Sequence, residues 1–179
     1  MVPIQLGVAR EGLRLEGRLS LTVLGPGGAV KDKRDGKNVV CTGGFSAIAA
    51  ALVWAGIQDQ AASLGVTTAT TLTPLYGAVG DGYGAVSEAD TALFAEIARE
   101  TVGAGASSPA TSSIAAQATW IFYFPSPSVN WTVTEAGAFA GASATAGSGT
   151  MLDHWVFSPA VSVSTSDTAL LQVSLMLGP

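Results

Sequence analysis

Apolar and polar residues alternate over several stretches of the chain, and this period of two predicts β-strands. In residues 13–23 every second residue is apolar or glycine, and the residues between them are charged or hydroxylated. Similar alternation runs through residues 114–124, 130–134, 151–157 and 168–177. Successive side chains of a strand point to opposite faces, so each stretch predicts a strand with one buried face. Glycine and proline turns separate these segments, which predicts a mainly β fold, an antiparallel β-sandwich of jelly-roll type.

The segment 129–157 lies at the centre of this expected arrangement. We expect three short strands in it, and the first places Trp131 and Val133 on one face. Gly137 interrupts the alternation, and a residue without a Cβ suits a bulge or a close approach of two backbones. The segment contains no recognisable catalytic pattern, so we interpret it as structural.

Two segments depart from the alternation and predict helices. Residues 45–57 are nearly all apolar and rich in alanine, which predicts one buried helix. Acidic residues in 87–90 precede residues 91–97, and acids at a helix N-terminus favour a short second helix there. Between these helices we expect a strand at 75–79, followed by a loop.

The composition indicates a protein that hides much of its surface in an assembly. Only 12% of the 179 residues are charged and 48% are hydrophobic, whereas an average soluble domain carries about twice that charge. The longest apolar run, residues 45–57, is shorter than the roughly 20 residues that a membrane-spanning helix needs. Charged residues near the start, such as Arg10 and Arg14, also argue against a secretory signal. We therefore expect a soluble homo-oligomer, most simply a trimer, without a membrane partner.

Charge is distributed unevenly along the chain. Seven of the eight basic residues precede position 38: Arg10, Arg14, Arg18, Lys31, Lys33, Arg34 and Lys37. Against four acids they give residues 1–37 a net charge of +3, while Arg99 against nine acids gives the remainder −8. We interpret 1–37 as a charged N-terminal hairpin or arm of a single domain, 1–179, and these seven residues as a candidate docking surface for an acidic partner. A merely solvated hairpin is the alternative.

Two features limit what the basic segment can do. Its charges are not interleaved with aromatic residues, so we expect no nucleic-acid partner. Its second strand carries charges of both signs at 31–35, and such residues protect the edge of a sheet from aggregation. We expect a turn at Asp35-Gly36 to end that strand.

The sequence lacks the residue sets that most catalytic or cofactor sites require. Cys41 and His154 are the only cysteine and histidine, which excludes an internal disulfide and paired histidine ligands. Gly80, Gly82 and Ala85 have the spacing of a dinucleotide-binding loop, but the chain does not alternate strands with helices as that fold requires. We expect no enzymatic activity, no cofactor and no metal, with Cys41 as a small buried side chain and His154 as a structural one.

Three motifs occur in an order that resembles structural proteins of tailed-bacteriophage virions. They are Asp90-Thr91-Ala92-Leu93-Phe94-Ala95-Glu96-Ile97-Ala98-Arg99, Glu135-Ala136-Gly137-Ala138-Phe139 and, near the end, Asp167-Thr168-Ala169-Leu170. They are similar to the D-T-x-L-x-x-E-x-x-R, E-A-G-x-F and D-T-L-type segments of that family. The resemblance extends from about residue 38 to the C-terminus. Members include capsid decoration (cement) proteins and tail or fibre components, and the family offers no catalytic residues to transfer.

The resemblance implies a non-enzymatic protein on the capsid surface of a virion. Its partner would be the major capsid protein, and it would stabilise the shell by bridging subunits. We favour this role over a tail or fibre-attachment role because the chain is short and lacks a fibre repeat. A carbohydrate-binding sandwich is a further alternative, in which Trp120, Trp131 and Trp155 form a platform for sugar rings; core packing of these residues is the competing interpretation.

Overall fold

The computed structural model describes residues 14–47, 75–103, 110–111 and 116–178. This part of the chain is mainly β and antiparallel, which confirms the predicted fold class at that level. A 3-10 turn (Pro26–Gly28) connects the first two strands, and residues 42–47 are helical. The strands are β1 (Arg14–Leu24), β2 (Val30–Val40), β3 (Leu75–Gly80), β4 (Glu96–Thr101), β5 (Ala110–Thr111), β6 (Ala116–Phe124), β7 (Trp131–Ala140), β8 (Thr150–Val163) and β9 (Thr168–Gly178).

The described strands form one sheet in the order β4-β3-β7-β8-β2-β1-β9-β6-β5. The sheet curls until its two ends nearly meet. Val102, just after β4, bridges to Phe122 of β6, and the Gly103 amide donates a hydrogen bond of 3.0 Å to the Ile121 carbonyl. This closure leaves less unpaired strand edge exposed than an open sheet of the same size would.

The larger of two hydrophobic clusters among the described residues fills the inside of the curled sheet. Leu19 and Leu21 of β1, Phe122 of β6 and Leu171 of β9 pack in it together with Leu152 of β8, and none is more than 2% exposed. Burial of each such side chain contributes about 1.5–3 kcal/mol to stability. The cluster therefore holds the two halves of the sheet against each other.

The strongest alternating segments fold as predicted. β1 begins one residue after the predicted start, and Leu19, Leu21 and Val23 are buried while Glu16 and Arg18 are exposed. β9 likewise matches the predicted strand at 168–177.

Gly137 also has the predicted role of allowing a close backbone approach. A Cβ on this residue would lie 2.6 Å from the Asp153 carbonyl oxygen of the neighbouring strand. Register shifts between Val133 and Glu135 and between Ala138 and Phe139 flank it. The bulges thus bracket a position of β7 where a side chain would collide with the backbone of β8.

Two strand predictions need correction. The segment 129–157 forms parts of two long strands, β7 and β8, instead of three short ones, and β8 continues beyond this segment to Val163. The predicted turn at Asp35-Gly36 is wrong, since β2 runs through both residues. The Trp155 ring packs against Gly36, where a Cβ would lie 2.8 Å from the ring.

The helix predictions also need correction. Residues 91–95 are irregular and Glu96 begins β4, so the second helix at 91–97 is wrong. The amides of Phe94 and Ala95 donate to the Glu135 carboxylate, so the expected helical hydrogen bonds do not form there. Of the helix predicted at 45–57, residues 45–47 are helical and Phe45 is 43% exposed, so this turn is not buried; residues 48–57 lie outside the described residues.

Candidate functional site

The outward-facing side of β2, β1, β9 and β6 carries polar side chains arranged in rows by the strand register. We call it the outer face. Arg18 of β1 lies opposite Lys37 of β2 on one side and Ser174 of β9 on the other. In the next row Ser20 lies between Asp35 and Gln172. A groove of about 560 Å³ runs over these rows.

The structure brings together three of the seven predicted docking residues. Arg18, Lys33 and Lys37 share the outer face and line its groove. Lys31 instead binds Asp167, and Arg34 lies opposite the buried Leu21 and pairs with Asp32. Arg14 is the first residue of β1, where only the backbone is described, and Arg10 lies outside the described residues. Lys31 and Arg34 therefore point away from the groove, and the docking role of the seven residues stays a prediction.

Acidic residues offset much of the positive charge on the outer face. The Lys33 ammonium lies 3.2 Å from the Asp35 carboxylate, and the Lys37 ammonium lies 3.4 Å from that of Glu16. A hydrogen bond from Ser20, with help from Lys33, lowers the pKa of Asp35. All four charged groups are well exposed, and such pairs contribute about 0–1 kcal/mol. The face is thus mixed in charge, with a small excess of cations.

Elsewhere, a buried carboxylate holds the long connection between β3 and β4. Glu135 of β7 is fully buried, and its two oxygens accept hydrogen bonds from the amides of Gly82 (3.1 Å), Phe94 (2.9 Å) and Ala95 (2.7 Å). These donors belong to the irregular residues 81–95, which we call the 81–95 loop. One side chain therefore satisfies main-chain donors at both ends of the loop.

His154 of β8 joins Glu135 to the middle of the same loop. Its Nε2 lies 3.0 Å from a Glu135 oxygen and its Nδ1 lies 2.7 Å from an Asp90 oxygen. Each ring nitrogen thus has a carboxylate oxygen as its partner, and the donor and acceptor roles depend on the tautomer of the ring. We call Asp90, Glu135 and His154 the Glu135 cluster. Both ring nitrogens are engaged and the ring is fully buried, so in this arrangement the cluster fixes the loop.

A second buried acid lies on the opposite face of β8. Asp153 accepts a hydrogen bond of 2.8 Å from the Ala138 amide and one of 2.7 Å from the Asn38 side chain. Burial outweighs these two bonds and raises the pKa of Asp153 to about 7. Burial, reinforced by nearby acids such as Asp153, also raises the pKa of Cys41 to about 12. The Cys41 thiol therefore stays neutral, which agrees with its predicted role as a small buried side chain.

Two further ion pairs fix loops to the sheet. The Arg99 guanidinium binds both oxygens of Glu96 (2.7 and 2.8 Å), donates to the Ser148 carbonyl at 2.8 Å, and lies 4.5 Å from the centre of the Phe139 ring. At the turn between β8 and β9, Asp167 accepts hydrogen bonds from Lys31, at 2.8 Å, and from Ser164. These bonds, with Lys31 as the main cause, lower the pKa of Asp167 to about 2.

These buried contacts are the structural arrangement that sequence reasoning missed. The charged residues of the quoted motifs all take part in them: Asp90, Glu96, Arg99, Glu135 and Asp167. A usable signal was present, because Glu135 and Asp153 lie in strands whose other residues are mostly apolar or small. A charge at such a position predicts a buried partner.

The three tryptophans considered for a sugar platform take part in core packing. Trp120, Trp131 and Trp155 are partly buried and pack against the hydrophobic core, as the packing interpretation required.

Among the described residues, no helix has the length and apolar character needed to cross a membrane. Within the same residues, no cluster of acidic, histidine or cysteine side chains has the arrangement of a metal site. No protein-family model matches the chain, and no curated protein matches its sequence.

Proposed function

We propose that this chain is a non-enzymatic structural protein of a tailed-phage virion that binds the outer capsid shell and bridges its subunits. One observation carries the proposal: the charged residues of the phage-like motifs are used to fix loops, as in Glu135 with the 81–95 loop and Arg99 with Ser148. A chain built this way keeps irregular loops rigid, which suits a permanent part of a particle.

The outer face supplies the docking surface in this proposal. Arg18, Lys33 and Lys37 provide the cations, and an acidic patch of the major capsid protein is the matching partner. Because most of these charges have internal partners, we expect a modest affinity for each site. Many sites on one shell then add through avidity, and binding to the assembled shell stabilises it by mass action.

We also infer a two-layered β-sandwich, with the chain acting as a homo-oligomer, most simply a trimer. Residues of β1, β6 and β9 pack against residues of β3, β7 and β8 in one core, which supports two layers. The low charge content supports hidden surface between copies. Light scattering of the isolated protein at micromolar concentration tests the oligomer, and a monomer there contradicts it.

The docking proposal is tested by occupancy on undecorated particles and by particle melting temperature. We expect the triple variant R18Q/K33Q/K37Q to lose most of its occupancy at low salt. The matched control is A144E/T145E/A146E, which changes the net charge equally at three exposed positions of another loop and should keep its occupancy. Equal occupancy of the two variants contradicts the outer face as docking surface. If the wild type neither binds particles nor raises their melting temperature, the tail or fibre role takes its place, and a few copies per particle would support it.

A further inference from the structure

The centre of the outer face contains a pair of like charges that no group among the described residues fully neutralises. Arg18 and Lys37 are direct cross-strand neighbours. Like charges in this position repel and destabilise a sheet. Lys37 has only the exposed contact with Glu16 at 3.4 Å, and no carboxylate among the described residues lies within ion-pair distance of Arg18. A bound anion at this point removes the repulsion.

The groove beside this pair is lined by neutral groups that both donate and accept hydrogen bonds. They are the side chains of Gln117, Gln172, Ser20 and Ser174. Thr119 orients two of them, since its hydroxyl lies 2.9 Å from that of Ser174 and accepts a bond of 3.1 Å from Gln117. Sugar hydroxyls likewise donate and accept, so they match amide and hydroxyl side chains. The volume of about 560 Å³ falls within the usual range for small-ligand sites.

The far side of the groove offers an apolar surface. Ile121 of β6 lies opposite the groove-lining Gln172 and is 37% exposed, and Tyr123, two residues further along the strand, is 51% exposed. An aromatic ring of this kind packs well against the C–H face of a sugar ring while its hydroxyl remains free for hydrogen bonding.

We propose that this groove binds an oligosaccharide that carries carboxylate groups, with one carboxylate between Arg18 and Lys37 and sugar rings extending over Gln172 toward Tyr123. We place the carboxylate between Arg18 and Lys37 because the third cation of the groove, Lys33, is already paired with Asp35. A sugar fits better than a peptide that binds as an added strand, because such a peptide pairs through its backbone with a strand edge, whereas these donors lie on the face of the sheet. This binding activity goes beyond the proposed role on the shell.

The test uses the isolated full chain and titration calorimetry with tetragalacturonate, and the methyl-esterified tetramer serves as a neutral probe. We expect binding of the acid and about tenfold weaker binding of the ester, as the loss of one charge-assisted hydrogen bond predicts. R18Q should weaken binding of the acid about tenfold, and Tyr123→Ala should weaken it to a smaller degree. The matched control is R34Q, the same substitution at a residue that pairs with Asp32 away from the groove, and it should bind as the wild type does.

Four outcomes overturn the inference. The first three are no binding of either probe, equal binding of acid and ester, and R18Q binding that equals wild type. A fourth is poly-glutamate that binds as tightly and depends on the same residues, because the site then recognises carboxylates without a sugar. Particle occupancy is measured without sugar and sugar binding without particles, so the two proposals can fail separately.

Discussion

Carboxylates occur in two contrasting settings in this molecule, the Glu135 cluster and the outer face. Glu135 is fully buried, accepts hydrogen bonds from three main-chain amides and lies 3.0 Å from Nε2 of His154. Glu16 of the outer face is 46% exposed and has a single contact of 3.4 Å with Lys37. In the first setting water cannot replace a lost partner, and in the second it can. A glutamate side chain therefore fixes the 81–95 loop at position 135, and it affects only the surface charge at position 16.

Burial indicates the role of a charged residue in this molecule. In the described part of the chain, the charges of the three quoted motifs lie in buried contacts, whereas the basic residues that the composition singled out lie mostly in exposed pairs. We therefore expect substitutions in the first group to affect folding, and substitutions in the second group to affect binding.

The largest expected effect is that of Glu135→Ala. This change leaves three amides of the 81–95 loop and the His154 ring without their acceptor. We expect a loss of about 3–5 kcal/mol in the free energy of unfolding, as for the removal of one partner from a buried ionic network. Urea denaturation measures the loss, with Glu16→Ala as the matched control at about 0–1 kcal/mol. Similar losses for the two variants would remove the contrast between the regions.

A comparable effect should appear in the pH dependence of stability through Asp153. Its pKa is about 7 in the folded protein, against about 3.9 in an unfolded chain, so the folded state holds the proton more tightly. The resulting stabilisation is complete below about pH 4 and is lost as the pH rises through 7. Full loss corresponds to on the order of 4 kcal/mol.

Asp153→Asn isolates the contribution of Asp153 to the pH dependence of stability, because asparagine does not titrate. We expect the unfolding free energy of the wild type, relative to that of the variant, to fall steadily from pH 4 to pH 8. Asp167, whose pKa is lowered to about 2, contributes stability that is lost as the pH falls, and this contribution is the same in both proteins. Parallel pH profiles would show that Asp153 is ionised throughout.

A smaller effect is expected for Arg99→Met. The methionine can keep part of the packing against Phe139, but it loses the bidentate contact with Glu96 and the bond to the Ser148 carbonyl. We expect a loss of about 2–3 kcal/mol and faster hydrogen exchange at the Gly147 and Ser148 amides. Arg18→Met, the same change on the outer face, should cost less than about 0.5 kcal/mol and leave those amides unchanged.

The smallest expected effect belongs to the pair of Lys33 and Asp35. Both side chains are more than half exposed. A double-mutant cycle with alanine at each position should give a coupling energy below about 0.5 kcal/mol that disappears in molar salt. A coupling above about 2 kcal/mol would mean that the outer face is as tightly organised as the Glu135 cluster.

The long alternating strands could be predicted because the information for them is local. In β1 the buried Leu19, Leu21 and Val23 and the exposed Arg18 follow directly from the period of two. The sequence pattern also located the bulged region around Gly137. These features depend on neighbours one or two residues away.

The loops and the candidate site could not be predicted, because their decisive partners are distant in sequence. The 81–95 loop has helix-like signals in 87–97, but its amides bind a carboxylate 40 residues away. Lys31 finds Asp167 across 136 residues, which removes it from the predicted docking surface. The composition gave the number of basic residues in 1–37, and only the strand register shows that three of them share a face with Gln172 and Ser174.

Glu135 also determines which parts of the 81–95 loop are free to change. It accepts hydrogen bonds from the main-chain amides of Gly82, Phe94 and Ala95, so these contacts do not depend on most side chains of the loop. Gly82 must stay, since a Cβ there would lie 2.5 Å from a Glu135 oxygen. Gly84 must stay as well, since a Cβ there would lie 2.7 Å from the Phe94 ring. Ala85 is exposed, and residues 85–86 are therefore a suitable place to insert a foreign peptide for display, held at both ends by a clamp that does not depend on the inserted sequence.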